Sequence, residues 1–128
     1  MKGKVVLVRF PFDDLSASKV RPAVCLTAAV GSHRHVALGF ITSQPPGEPL
    51  PSDLVLDPSH PDFPATGLRG RSTLRLHRLM TVTADVLLRE LGVLSPSLQG
   101  EVNAKLRALF ELDRVLPTGG VPGHNPIR

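Results

Sequence analysis

Residues 3–26 read GKVVLVRFPFDDLSASKVRPAVCL, and this stretch decides the fold. Val5, Val6, Leu7 and Val8 form an unbroken apolar run rich in β-branched residues. That pattern suits a strand buried on both faces. Pro11 cannot donate to a ladder, so it ends the strand or sits at an edge. Asp13 to Lys19 is polar and serine-rich and reads as a loop. Pro22 restricts Arg21 to extended backbone, and Ala23-Val24-Cys25-Leu26 continues as a second strand. Arg21 is thus a permanent cation at a stiff loop–strand junction. It can grip a phosphate there at little further cost in backbone freedom, or pair with Asp13 or Asp14 in the preceding loop.

Downstream, His35 to Thr42 is a third strand, residues 44–52 a proline-rich loop, and Asp53 to Asp57 a short alternating strand. Arg71 to Leu76 alternates as well, with Thr73, Arg75 and His77 on one side and Leu74 and Leu76 on the other. Met80 to Val82 extends the sheet after a break. Ala84 to Leu91 has the look of a short helix capped near Thr83 and ended by a left-handed Gly92. Ser95-Pro96 starts a helix over 96–113, whose stripe is Leu98, Val102, Leu106, Leu109 and Phe110. Residues 1–114 read as one domain and 115–128 as a flexible tail. Many short strands, proline-rich turns and a terminal helix give a mainly β, α+β architecture: a small barrel or curled sheet with a helix against it.

The 128 residues allow one modest core, and 41% hydrophobic content fits a soluble domain. No apolar run reaches a membrane span or a signal-peptide core, so the expected location is the cytoplasm. The single cysteine, Cys25, excludes an internal disulfide and reads as a small buried hydrophobe. The net charge of +4 is unevenly placed, because residues 1–64 balance and the excess lies in 65–128. Arg69, Arg71, Arg75 and Arg78 fall within ten residues. Such a group serves a polyanion partner or forms a solvated basic face. His33 and His35 form a His-x-His pair without a third ligand nearby, so no metal and no cofactor is expected.

The 3–26 stretch resembles the opening of PemK/MazF-type toxins, the RNA-cutting halves of bacterial toxin–antitoxin modules. Phe40-Ile41-Thr42-Ser43, Gly67-Leu68, Ser72 to Thr81 and Leu91 to Ser95 continue the resemblance in order. It implies an SH3-like curled barrel of the PemK/MazF/CcdB type, working as a homodimer. It also implies a metal-independent endoribonuclease acting on single-stranded RNA and inhibited by an antitoxin with an acidic, disordered segment. Carried onto this chain, Arg21, Thr42, Arg75 and His77 are the catalytic candidates. Phe12, Lys19, Ser43, Arg69, Ser72 and Arg78 are the substrate-binding ones. Hydroxyls at Thr42 and Ser43 can donate to phosphate or merely fix a turn. His77 can serve as acid or base, or be an exposed histidine with no role. Two departures stand out: an acidic residue commonly occupies the place of His77, and another the place of Lys4. Two rival readings share the architecture. One is a gyrase poison of the CcdB type, and the other a degenerate member that binds RNA or a partner without cutting. An enzyme requires Arg21, Thr42 and Arg75 to converge, whereas a gyrase binder would use the surface of its C-terminal helix.

Overall fold

The structure, a computed structural model, describes residues 1–10 and 19–112. Its strands are β1 (Lys4–Phe10), β2 (Lys19–Cys25), β3 (His35–Thr42), β4 (Asp53–Leu56), β5 (Ser72–Thr83) and β6 (Leu87–Val93), followed by helix α1 (Pro96–Leu109). They pair antiparallel into one sheet in the order β4-β5-β3-β2-β1-β6. The architecture is mainly β with a C-terminal helix, as the patterning predicts.

The apolar run of β1 is buried on both sides, and strand alternation divides it between two cores. Val5 joins Val24, Ile41, Leu74 and Leu76 under Leu98 and Val102 of α1. Val6 and Val8 join Ala23, Cys25, Val36 and Leu38 on the opposite face. Met80, Val82, Val86 and Leu87 pack against that second cluster.

β5 produces the curl. Gly39 pairs with Leu79, yet the next residue, Phe40, pairs with Arg75. One step on β3 therefore matches four on β5, and Leu76 to Arg78 stand outside the ladder. Such an excursion bends a strand and raises its twist. Residues before it pair with β4 and β3, and those after it with β3 alone. The break expected in the sequence is thus a slip within one continuous strand.

The segment 84–91 departs from its helical reading. Only Ala84–Val86 forms a 3₁₀ turn, and Leu87–Val93 pairs with β1 from Val8↔Leu87 to Lys4↔Val93. β1 would otherwise present an unpaired edge, and that tertiary demand overrides a weak local preference. Gly92 does not take the expected left-handed backbone. It lacks a side chain because the chain at Ala65 and Thr66 crosses over it: a Cβ would stand 2.2 Å from the Ala65 carbonyl oxygen. Gly67, which is left-handed, has the same relation to Leu91.

Helix α1 begins as expected. The Ser95 hydroxyl accepts the Leu98 N–H at 3.1 Å and donates to Asp62 Oδ2 at 2.6 Å. The helix ends at Leu109, short of residue 113, and Phe110 is exposed rather than part of the packed stripe. No helix among the described residues is long and apolar enough to cross a membrane.

Candidate active site

The site lies where the sheet comes apart. β2 and β3 pair only from Ala23↔Phe40 to Cys25↔Leu38. Before Ala23, β2 is held by β1 alone, and beyond Phe40, β3 is held by β5 alone. Pro22 is tolerated in a central strand because the β3 ladder has not yet begun there. Arg21, one residue earlier, sits half-buried at the mouth of this opening. Alternation puts it on the face of Ala23 and Cys25. Thr42 shares that face through Phe40 and Leu38, and Arg75 does so by pairing with Phe40.

Arg21, Thr42, Arg75 and Arg78 line one cavity of about 300 Å³, walled by Phe40, Ile41 and Met80 and by Gln44, Pro45 and Pro46 of the proline-rich loop. Arg75 is firmly held. Its Nε donates to Asp53 Oδ1 at 3.0 Å, and its Nη2 donates to Asp53 Oδ2 at 3.2 Å and to the Glu48 carbonyl at 3.0 Å. The Asp53 side chain is 6% exposed. Burial alone would raise its pKa, but the Arg75 hydrogen bonds and the Leu50 N–H outweigh that and hold it below the usual carboxylate range. The Thr42 hydroxyl accepts the Gln44 N–H at 3.1 Å, fixing the first turn of the loop. Its own proton reaches only the Gln44 carbonyl, at a long 3.4 Å, so it is available to a ligand.

A second cavity, about 400 Å³, opens on the opposite face and shares Arg21 and Ile41 with the first. Arg69, Arg71 and Arg89 line it with Ser43 and Ser72, over an apolar floor that includes Leu7, Pro22, Leu68 and Leu91. Arg71 pairs with Asp57 at 3.0 Å, and the Ser72 hydroxyl donates to the Gly70 carbonyl at 2.9 Å. Neither lining includes a carboxylate among the described residues. Both cavities therefore present arginine and hydroxyl donors, a suitable surface for phosphodiester oxygens.

The structure brings Arg21, Thr42, Arg75 and Arg78 to one cavity and Ser43, Arg69 and Ser72 to its neighbour. It does not bring His77 into either lining. His77 keeps the expected alternation, opposite the buried Leu74 and Leu76, and helps hold the Asp53 carboxyl below its usual range, but it is exposed and outside both linings. The slip in β5 ends the alternation only beyond it, where Arg78 and Leu79 are exposed as well. Phe12 lies outside the described residues, and Lys19 is placed by its backbone at the start of β2. Cys25 is fully buried, and burial pushes its thiol pKa up, which suits packing rather than nucleophilic attack. Lys4 pairs with Glu90 across β1 and β6 at 2.9 Å.

Two residues of the site escape sequence reasoning. Arg89 falls in the segment read as helix. Read as a strand, its alternation with Leu91 would have set it beside the arginine group. Asp53 is 22 residues from Arg75, and nothing local to either announces the pair.

The sequence pattern of one family, described as "PemK-like, MazF-like toxin of type II toxin-antitoxin system", matches residues 1–110. No curated protein sequence matches the chain. Among solved structures, "Mycobacterium tuberculosis toxin MazF-mt6" is 20% identical with a TM-score of 0.64, over 84% of this chain and 96% of that one. An "Endoribonuclease in complex with its cognate antitoxin from Mycobacterial species" is 18% identical with a TM-score of 0.61, over 91% and 98% of the two chains. An "Endoribonuclease from Mycobacterial species" is 19% identical with a TM-score of 0.59, over 87% and 90%. At these identities the structures establish a shared fold. The match over residues 1–110 goes further: the chain belongs to the PemK-like, MazF-like toxin family of type II toxin–antitoxin systems.

Proposed function

We propose that this toxin is an endoribonuclease that cuts single-stranded RNA without a metal ion. The observation that carries the reading is the convergence of Arg21, Thr42 and Arg75 on one cavity. The mycobacterial endoribonucleases that share the fold support it. In the proposed reaction the ribose 2′-oxygen attacks the adjacent phosphorus and the bond from phosphorus to the 5′-oxygen breaks. The products are a 2′,3′-cyclic phosphate and a 5′-hydroxyl. The 2′-hydroxyl loses its proton as it attacks, and the leaving 5′-oxygen gains one. Negative charge builds on the phosphoryl oxygens, where Arg21 and Arg75 stabilise it and Thr42 orients them by donating. Proton transfer falls to solvent or to His77, one residue from the cavity-lining Arg78.

Ser43, Ser72, Arg69, Arg78 and Arg89 hold the flanking RNA. The same arginine-lined openings suit an acidic antitoxin segment that folds on binding. The reading includes a homodimer working in the cytoplasm, where RNA is at hand. A second reading has one observation in its favour. Arg75 is already paired with Asp53 and His77 stands off the cavity, as fits a member that binds RNA without cutting it.

The test is incubation with mixed-sequence single-stranded RNA in excess EDTA, alongside Arg21→Ala and His77→Ala. Discrete cuts with cyclic-phosphate ends, slowed more than about a hundredfold in Arg21→Ala, are expected. A pH-dependent limb of the wild-type rate profile that disappears in His77→Ala would identify His77 as the proton carrier. An unchanged profile assigns that step to solvent. No cleavage by the wild type sinks the nuclease reading and leaves the binding one.

A further inference from the structure

We propose that Asp53, together with the Glu48 carbonyl, is a positioning device that turns Arg75 into a directed donor rather than a free charge. The inference rests on the cleavage reading above.

The hydrogen bonds to Arg75 are unevenly distributed. Nε and Nη2 together engage both Asp53 oxygens, and Nη2 also engages the Glu48 carbonyl. Nη1 makes no hydrogen bond among the described residues. It is the donor left over on a side chain that lines the cavity. A side-on clamp on one edge of a planar guanidinium fixes the direction of the other edge. An arginine side chain otherwise samples many rotamers, and fixing it beforehand removes that loss from the reaction itself.

Asp53 is itself immobilised. It sits directly opposite Arg75 in the β4–β5 ladder. Its N–H donates to the Leu50 carbonyl at 2.9 Å, and its Oδ2 accepts the Leu50 N–H at 2.9 Å. The clamp thereby ties Arg75 to the proline-rich loop, whose Pro45 and Pro46 form part of the cavity wall. Asp53 is absent from the lining of that cavity, so it acts there through Arg75.

The paired charges give a distinctive expectation. With Asp53 ionised beside it, Arg75 adds little to the attraction of RNA from a distance. Its contribution is the aim of Nη1 at a phosphoryl oxygen as charge develops there. Removing the Asp53 charge should therefore slow the chemical step without weakening binding, since one more positive charge is exposed. A role confined to folding would weaken both.

The experiment is single-turnover cleavage of an RNA oligonucleotide carrying a mapped cut, with its affinity measured separately. Wild type, Asp53→Asn, Arg75→Ala and the double variant are compared. Asp53→Asn is expected to cleave about tenfold more slowly at saturation, with affinity equal to wild type or tighter. In the Arg75→Ala background the same change should cost nothing further. Should Asp53→Asn melt below the assay temperature, Asp53→Glu takes its place. It keeps the charge and moves the clamp by one methylene, and it is expected to show the same split. A wild-type rate in the Asp53 variant, or an equal loss with and without Arg75, overturns the positioning role alone. Failure of the wild type to cut any RNA overturns the nuclease reading and this inference with it.

Discussion

The Asp53 carboxyl lies under opposing influences, and their balance sets a pH dependence. Burial favours its neutral form, while Arg75 and the Leu50 N–H favour the charged one and prevail. The folded protein therefore keeps this proton off at a lower pH than the unfolded chain does. The resulting stability is fully present above the unfolded value of about 3.9 and is lost as pH falls through the lower folded value. Asp53→Asn should be less stable than wild type at pH 7, by about 1–2 kcal/mol. The gap should close as the medium is acidified below about pH 4. Urea midpoints for both proteins across that range check the sign, and a gap that widens on acidification would refute it. Thr42 shows how one residue serves two levels at once. Its oxygen secures the loop through Gln44, while its proton remains for the cavity. The choice posed by the sequence, a turn or a phosphate donor, is not an exclusive one.

At the level of elements, β6 and the Pro64–Thr66 turn are joined by mutual close approach. Gly92→Ala places a methyl group 2.2 Å from the Ala65 carbonyl oxygen, which is backbone and cannot swing aside. The expected cost is about 3 kcal/mol. Gly70→Ala, with nothing within 4 Å of its Cβ, should leave the melting temperature within a degree or two of wild type. Thermal unfolding of the pair distinguishes crowding from a general intolerance of alanine. These contacts also explain which elements the sequence disclosed. β1, β2 and β3 carry their burial in their own alternation, and α1 announces itself at Ser95-Pro96. β6 does not, because Leu87, Leu88, Leu91 and a terminal glycine mimic a helix. Only the edge of β1 and the crossing chain at Ala65 require a strand there. The site divides along the same line. Arg21 and Thr42 were legible because each stands at a strand end marked by local chemistry. The Asp53–Arg75 clamp and Arg89 depend on pairings between distant segments, and no local signal marks the slip in β5.

Across the whole molecule, charge is gathered where the sheet parts. Arg21, Arg69, Arg71, Arg75, Arg78 and Arg89 all line the two cavities that meet there. RNA affinity should fall steeply with added salt, because each contacted phosphate releases counterions. Arg89→Ala should lower the slope of log affinity against log salt by about 0.7, the increment for one contact with a single strand. An unchanged slope would remove Arg89 from the RNA path. The slip in β5 has a further consequence for how such a molecule can change. Leu76 is committed to the core, but His77 and Arg78 face outward from a stretch with no ladder partners. Replacing either breaks no strand pairing, yet Arg78 borders the cavity. The fold thus sets the residues that rim the cavity apart from those that hold the sheet together, so a substitution at Arg78 can change what the cavity admits while the strand pairing stays intact.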